Sequence, residues 1–224
     1  MKRFLTAAVL LSSCATAGMP VHMSDAGFSR PVKNQNILKL LFGEPPPASC
    51  PENRTIPMLG PIDDESADVF VRTLGACRGK RVVVEINSPG GSLFAAMEMQ
   101  KAIERHDSAV FCVVDGMAAS AAFVTLQSCT SRYATARSLL MAHHASLTCQ
   151  GQEQEMKNCG EALRAIDEGL SAHCAKRMEM SREDFESHVS NGREWYMSLF
   201  DGLKFKALDG EAESVAEIQK MIAN

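Results

Sequence analysis

The stretch Asp115-Gly116-Met117-Ala118-Ala119-Ser120-Ala121-Ala122 holds the residues best suited to chemistry. It follows the apolar run Ala109-Val110-Phe111-Cys112-Val113-Val114 and leads into Ala122-Phe123-Val124-Thr125-Leu126. The first run is short and rich in β-branched and aromatic residues, which predicts a buried strand ended by Gly116. The small residues after Gly116 predict a helix that starts in close contact with what lies beneath. A serine at such a junction lies beside the free N–H groups of a helix start, which favour negative charge. A serine attacking a carbonyl needs that environment. The plain alternative is that Ser120 only caps the helix. Two further polar groups bear on the choice. Asn87-Ser88-Pro89-Gly90-Gly91 follows the strand-like run Arg81 to Ile86, and His143-His144 follows the run Leu139 to Ala142.

These features need elements to position them. Thr55 to Gly60 reads as a short strand whose proline suits a sheet edge. Asp63 to Gly75 reads as a helix with an acidic first turn. A helix opens at Gly90-Gly91, another follows Ser120, and Glu153 to Met178 is a long helical stretch. Ser181 to Val189 is a helix with a Ser-x-x-Asp start. Strands alternating with helices predict parallel α/β layers joined by right-handed crossovers. Sites in such sheets form at the carboxyl ends of strands, where all three polar features fall.

The chain has 224 residues, 46% hydrophobic and 22% charged, which suits one domain with extensions. Its formal net charge of −4 argues against nucleic-acid binding. Met1-Lys2-Arg3, an apolar run from Phe4 to Leu11 and small residues after it have a secretory signal layout. Residues 1–17 are read as that signal. Two cleavage readings stay open. Leu11-Ser12-Ser13-Cys14 resembles a bacterial lipobox, with Cys14 lipidated and the protein attached to a membrane; Ala15-Thr16-Ala17 resembles an ordinary small-x-small site. A periplasmic or envelope location follows from either. Residues 18–50 read as a linker, with a short helix over Asn36 to Phe42 and a stiff run Pro45-Pro46-Pro47. Residues 51–224 form the domain.

In an oxidising compartment some cysteines should pair. Cys149 with Cys159, flanking a polar stretch, is the first expectation, and Cys50 with Cys77 the second. Leaving Cys14 aside, the number is odd, so at least one stays free or pairs between chains. Cys112 reads as a small hydrophobe in its buried run.

Ile86-Asn87-Ser88-Pro89-Gly90-Gly91-Ser92, Gly116-Met117-Ala118-Ala119-Ser120 and Met141-Ala142-His143 closely resemble the Clp protease proteolytic subunit (ClpP) family of serine peptidases, within the ClpP/crotonase superfamily. The resemblance runs from about Thr55 to Asp209. It implies a ClpP/crotonase-like α/β fold of repeated, superhelical ββα units, with parallel sheet layers and flanking helices. It implies Ser120 as nucleophile, His143 as general base, and the N–H groups of Gly91 and Ala121 as oxyanion hole. Glu194 takes the place of the family's aspartate. No metal or organic cofactor is implied. The expected activity is hydrolysis of peptide or protein substrates by a homo-oligomer. An exported member would work without an ATP-dependent unfoldase, since a periplasm offers no ATP. The polar loop from Ser146 to Gly160 replaces the family's substrate-flanking region and makes its tetradecameric barrel doubtful. Three rivals stay open: a catalytically inactive binding or assembly protein of the same fold, a Ser–Lys peptidase resembling signal peptide peptidase A with Lys157 as its candidate base, and a crotonase-type acyl-CoA enzyme.

Overall fold

The computed structural model describes residues 49–223. The signal segment, Cys14, the helix expected over Asn36 to Phe42, the proline run and almost all of the linker lie outside the described residues.

Among the described residues, seven strands form one sheet: β1 (Thr55–Leu59), β2 (Val82–Ser88), β3 (Val110–Ala119), β4 (Ser131–Ala134), β5 (Leu139–Ala142), β6 (Trp195–Met197) and β7 (Gly210–Glu211). The helices are α1 (Asp64–Ala76), α2 (Leu93–Glu104), α3 (Ala121–Leu126), α4 (Glu153–Arg177), α5 (Arg182–Val189), α6 (Leu199–Lys204) and α7 (Val215–Ala223). The order β1-β2-β3-β4-β7 is parallel throughout, with β5 added to the far end of β3 and β6 antiparallel to β5. This is an α/β fold with a parallel sheet and flanking helices, the class expected from the strand–helix alternation.

Side chains alternate across a strand, and the core divides accordingly. Val82, Val84 and Ile86 join Val110, Cys112 and Val114 in the main cluster, against Phe70 and Leu74 of α1, Met99 of α2 and Phe123 and Leu126 of α3. Val83 and Val113 point the other way, onto Ile218 and Ile222 of α7. Continuous apolar strands are what a sheet covered on both faces requires. Helix starts are capped by their own sequence: Ser66 N–H donates to Asp63 at 2.8 Å, and Asp184 N–H donates to Ser181 at 3.0 Å.

Three findings differ from the sequence reading. First, Gly116 does not end its strand; β3 runs on to Ala119. The β2–β3 register passes from Ile86↔Val114 to Ser88↔Ala118, so β3 bulges there by extra residues. Gly116 sits in the bulge at φ 120°, with the Asn87 side chain where its Cβ would be. Beyond the bulge, β3 leaves β4 and pairs with β5. Second, Cys112 is not a lone hydrophobe but is joined to Cys129, the two Cα atoms 6.0 Å apart. Cys129 follows the end of α3, so this bond ties the turn and helix after β3 back to the sheet. Third, Ser131–Ala134 is a strand, β4. Its Arg132 is buried and grips Asp209 just before β7, at 3.0 Å from Nε and 2.6 Å from a terminal nitrogen. The backbone N–H of Arg132 also donates to Asp209, at 2.8 Å.

Disulfides also join Cys50 to Cys77 and Cys149 to Cys159. Cys174 is free and buried, and burial pushes its thiol up to about 12. It therefore stays protonated and inert.

Candidate active site

The turn between β3 and α3 is sharp. Ser120 has φ 55° and ψ −122°, a conformation that L residues rarely hold and that costs about 1–3 kcal/mol. Its N–H donates to the Met141 carbonyl at 2.9 Å, which fastens the turn to β5. Although Ser120 is the N-cap residue of α3, its side chain makes no capping bond. Its Oγ lies 2.7 Å from Nε2 of His143 instead. The pairing Ala119↔Met141 at the ends of β3 and β5 explains the approach: Ser120 and His143 each leave their strand just beyond it. With the Ser120 hydroxyl as donor, Nε2 accepts and the ring proton resides on Nδ1.

Gly90 backs this turn. A Cβ there would sit 2.6 Å from the Ala119 carbonyl oxygen, 2.8 Å from Ser120 Cβ and 2.9 Å from the Ala121 nitrogen. Gly90 and Gly91 have φ 90° and 147°, a path open to glycine. The path is pinned on its outer side, where Ile62 N–H donates to Gly90 and Ser92 N–H donates to Ile62. Among the described residues, neither the Gly91 nor the Ala121 N–H is taken up by a turn or loop hydrogen bond.

Glu194 immediately precedes β6, the strand that pairs with β5. The β5–β6 register pairs Ala142 with Trp195, so the next step sets Glu194 opposite His143. Its carboxylate, however, accepts a hydrogen bond from the Tyr196 hydroxyl at 2.7 Å. Among the described residues, no carboxylate forms a hydrogen bond to Nδ1 of His143. The bond to Glu194 pushes the Tyr196 hydroxyl above its ordinary value, which keeps it a donor. The backbone of β6 is held from behind: Trp195 stacks on His188 at 3.9 Å and meets Phe205 edge-on at 5.1 Å.

The neighbouring His144 pairs with Glu186 of α5 at 2.7 Å. Asp167 of α4 accepts from the Ala145 N–H at 2.8 Å, so the chain leaving the site is secured on two helices. A cavity of about 410 Å³ lies between them, lined by His144, Leu163, Arg164, Asp167, Arg182 and Glu186. Glu186, Asp167 and Tyr196 carry no sequence signal of these contacts, because each acts through tertiary packing. Lys157 pairs with Glu153 one turn away on the exposed face of α4, at 2.6 Å. The described residues contain no group of three or more His, Cys, Asp or Glu placed to hold a metal ion.

The sequence family described as Clp protease matches residues 48–209. Among curated proteins, the chain is 28% identical over 158 residues to an ATP-dependent Clp protease proteolytic subunit of Porphyromonas gingivalis, covering 66% of this chain and 68% of that protein. It is 30% identical over 169 residues to ATP-dependent Clp protease proteolytic subunit 1 of Chlamydia muridarum, covering 71% of this chain and 86% of that protein.

Proposed function

The chain belongs to the Clp protease family, and on that premise we propose that it is an exported serine peptidase whose nucleophile is Ser120 and whose general base is His143. The observation that carries this reading is the 2.7 Å contact between Ser120 Oγ and His143 Nε2. Serine is a poor nucleophile until an imidazole takes its proton. As Oγ bonds to the peptide carbonyl carbon, the hydroxyl proton moves to Nε2 and the carbonyl oxygen becomes an oxyanion. The N–H groups of Gly91 and Ala121 bind that oxyanion; as fixed donors they need no reorganisation. Collapse breaks the C–N bond, and His143 gives its proton to the departing amine. Water, deprotonated by the same ring, then releases the acyl group and restores Ser120. Glu194, once turned from Tyr196, orients His143 by accepting from Nδ1–H.

Export rests on the basic-apolar-small N-terminal segment, with Cys14 as the lipidated residue if the lipobox is used. Three disulfides agree with an oxidising compartment. Peptidase action there proceeds without an ATP-dependent unfoldase. A peptide or protein substrate and a homo-oligomeric state are supported by relatives named as proteolytic subunits.

Hydrolysis of a blocked fluorogenic peptide tests the reading. Ser120→Ala should lower kcat/KM at least about 10³-fold; unchanged turnover would refute it. The Tyr196–Glu194 bond favours a second reading, a binding or assembly protein with an incomplete triad. Wild-type protein that a fluorophosphonate labels no better than Ser120→Ala, at every pH between about 6 and 9, would establish it.

A further inference from the structure

His143 stands just beyond the end of β5, where the strand stops supporting the chain. Among the described residues, no turn or loop hydrogen bond between backbone groups involves residues 144–151. Two side chains hold the start of this segment instead. Oε2 of Glu186, on α5, lies 2.7 Å from Nε2 of His144. Oδ1 of Asp167, on α4, accepts from the Ala145 N–H at 2.8 Å. Both carboxylates are half-buried, so each contact is screened less than one on an open surface. The next covalent anchor along the chain is Cys149, bonded to Cys159 of α4.

Neither carboxylate is turned toward its own helix. Arg164 stands one turn before Asp167 on α4, and Arg182 one turn before Glu186 on α5. Opposite charges at that spacing are neighbours and commonly pair. Both arginines line the same cavity as the two carboxylates. Yet Asp167 bonds to Ala145, and Glu186 pairs with His144. The two helices therefore spend their carboxylates on the residues that follow His143. β5 brings His143 to Ser120, with Oγ 2.7 Å from Nε2. Proton transfer requires hydrogen-bond reach, so this contact tolerates little drift. A backbone unheld after His143 could swing about the strand end and carry the imidazole off that line. Bonds at the next two residues, from two different helices, remove that freedom.

We infer that Asp167 and Glu186 are positioning residues for the general base: they clamp residues 144 and 145 so that the His143 imidazole stays aimed at Ser120. The inference rests on the peptidase reading above. Both groups act through the chain next to His143 and not on the reacting atoms.

Steady-state hydrolysis of a blocked fluorogenic peptide, together with the imidazole ¹⁵N spectrum of His143, tests the clamp. Asp167→Ala should lower kcat about tenfold with KM unchanged, less than the ~10²-fold that a 1 Å misplacement can cost. The Nε2 signal should lose the shift it owes to the Ser120 hydroxyl. Asp167→Asn should restore both, because its amide oxygen still accepts from the Ala145 N–H. Glu186→Ala should act like Asp167→Ala, with thermal melts showing that each variant is folded. Glu168→Ala removes a neighbouring carboxylate that bonds to neither residue 144 nor 145, and it should change nothing. A kcat unmoved by Asp167→Ala and by Glu186→Ala would overturn the proposal, as would a loss that Asp167→Asn fails to restore. If the wild type hydrolyses no peptide, the peptidase reading falls by itself, and an Nε2 signal indifferent to Asp167→Ala still overturns the clamp.

Discussion

Ser120 and Glu194 belong to one run of paired strands, β3-β5-β6, but they are held in opposite ways. Ser120 directly follows a ten-residue strand in the middle of the sheet. Its backbone is bonded to Met141, and Gly90 is packed against it. Glu194 is exposed and precedes a three-residue strand at the sheet's margin. The backbone of β6 is fixed by Trp195, yet the direction of the Glu194 carboxylate depends on one exposed hydrogen bond to Tyr196. Ser120 and His143 are therefore positioned by the sheet, whereas the Glu194 carboxylate is positioned by a rotamer. A backbone-imposed geometry is expensive to disturb. A rotamer held by one surface bond is not, since such a bond contributes about 0.5–1.5 kcal/mol.

Disturbing the sheet-held side should have the largest effect. Gly90→Ala adds a Cβ 2.6 Å from the Ala119 carbonyl at φ 90°, so the turn under Ser120 must move. Activity should fall by about 10²-fold, as for a misplacement near 1 Å, with only a modest drop in thermal stability. Retained activity with intact folding would show that the turn is not held from beneath.

Next comes the margin of the sheet away from the site. Asp209→Asn leaves the buried Arg132 guanidinium without its counter-charge and should cost about 2–3 kcal/mol in denaturant unfolding. Burial alone would raise the Asp209 carboxyl, but the bonds and charge of Arg132 outweigh it and hold the group below its ordinary value. The sign follows from that. The pair stabilises the fold above the unfolded carboxylate value, about 3.9, and this contribution is lost as pH falls toward the lower folded value. The difference between wild type and Asp209→Asn should thus shrink below about pH 4. A difference that grows in acid would contradict the assignment.

The smallest effect should come from the rotamer-held side. Tyr196→Phe releases the Glu194 carboxylate toward His143 and should raise kcat/KM up to about tenfold, with stability unchanged. A fall in kcat/KM would mean that Tyr196 supports the site rather than restraining it.

What could be read from sequence follows the same division. The runs around β2, β3 and β5 are apolar and close to turn residues, so their polar ends could be placed on one side of a sheet. The continuation of β3 past Gly116 could not, because a positive-φ glycine reads as a stop unless a bulge accommodates it. β6 and β7, of three and two residues, are too short to carry a period, and β4, as short as β5, lacks its apolar run. The Cys112–Cys129 bond depends on how α3 folds back on the sheet, which no local pattern encodes. The position of Glu194 opposite His143 is a register relation, whereas the direction of its carboxylate depends on Tyr196, two residues away and on the same exposed surface.

The pairing of Ser120 with His143 is tested most directly by the rate of fluorophosphonate labelling in wild type and in His143→Ala, measured side by side under one condition. The wild type should take the label on Ser120. In His143→Ala the rate should drop at least about 10³-fold. Equal rates in the two proteins, or a label on another residue, would contradict the account.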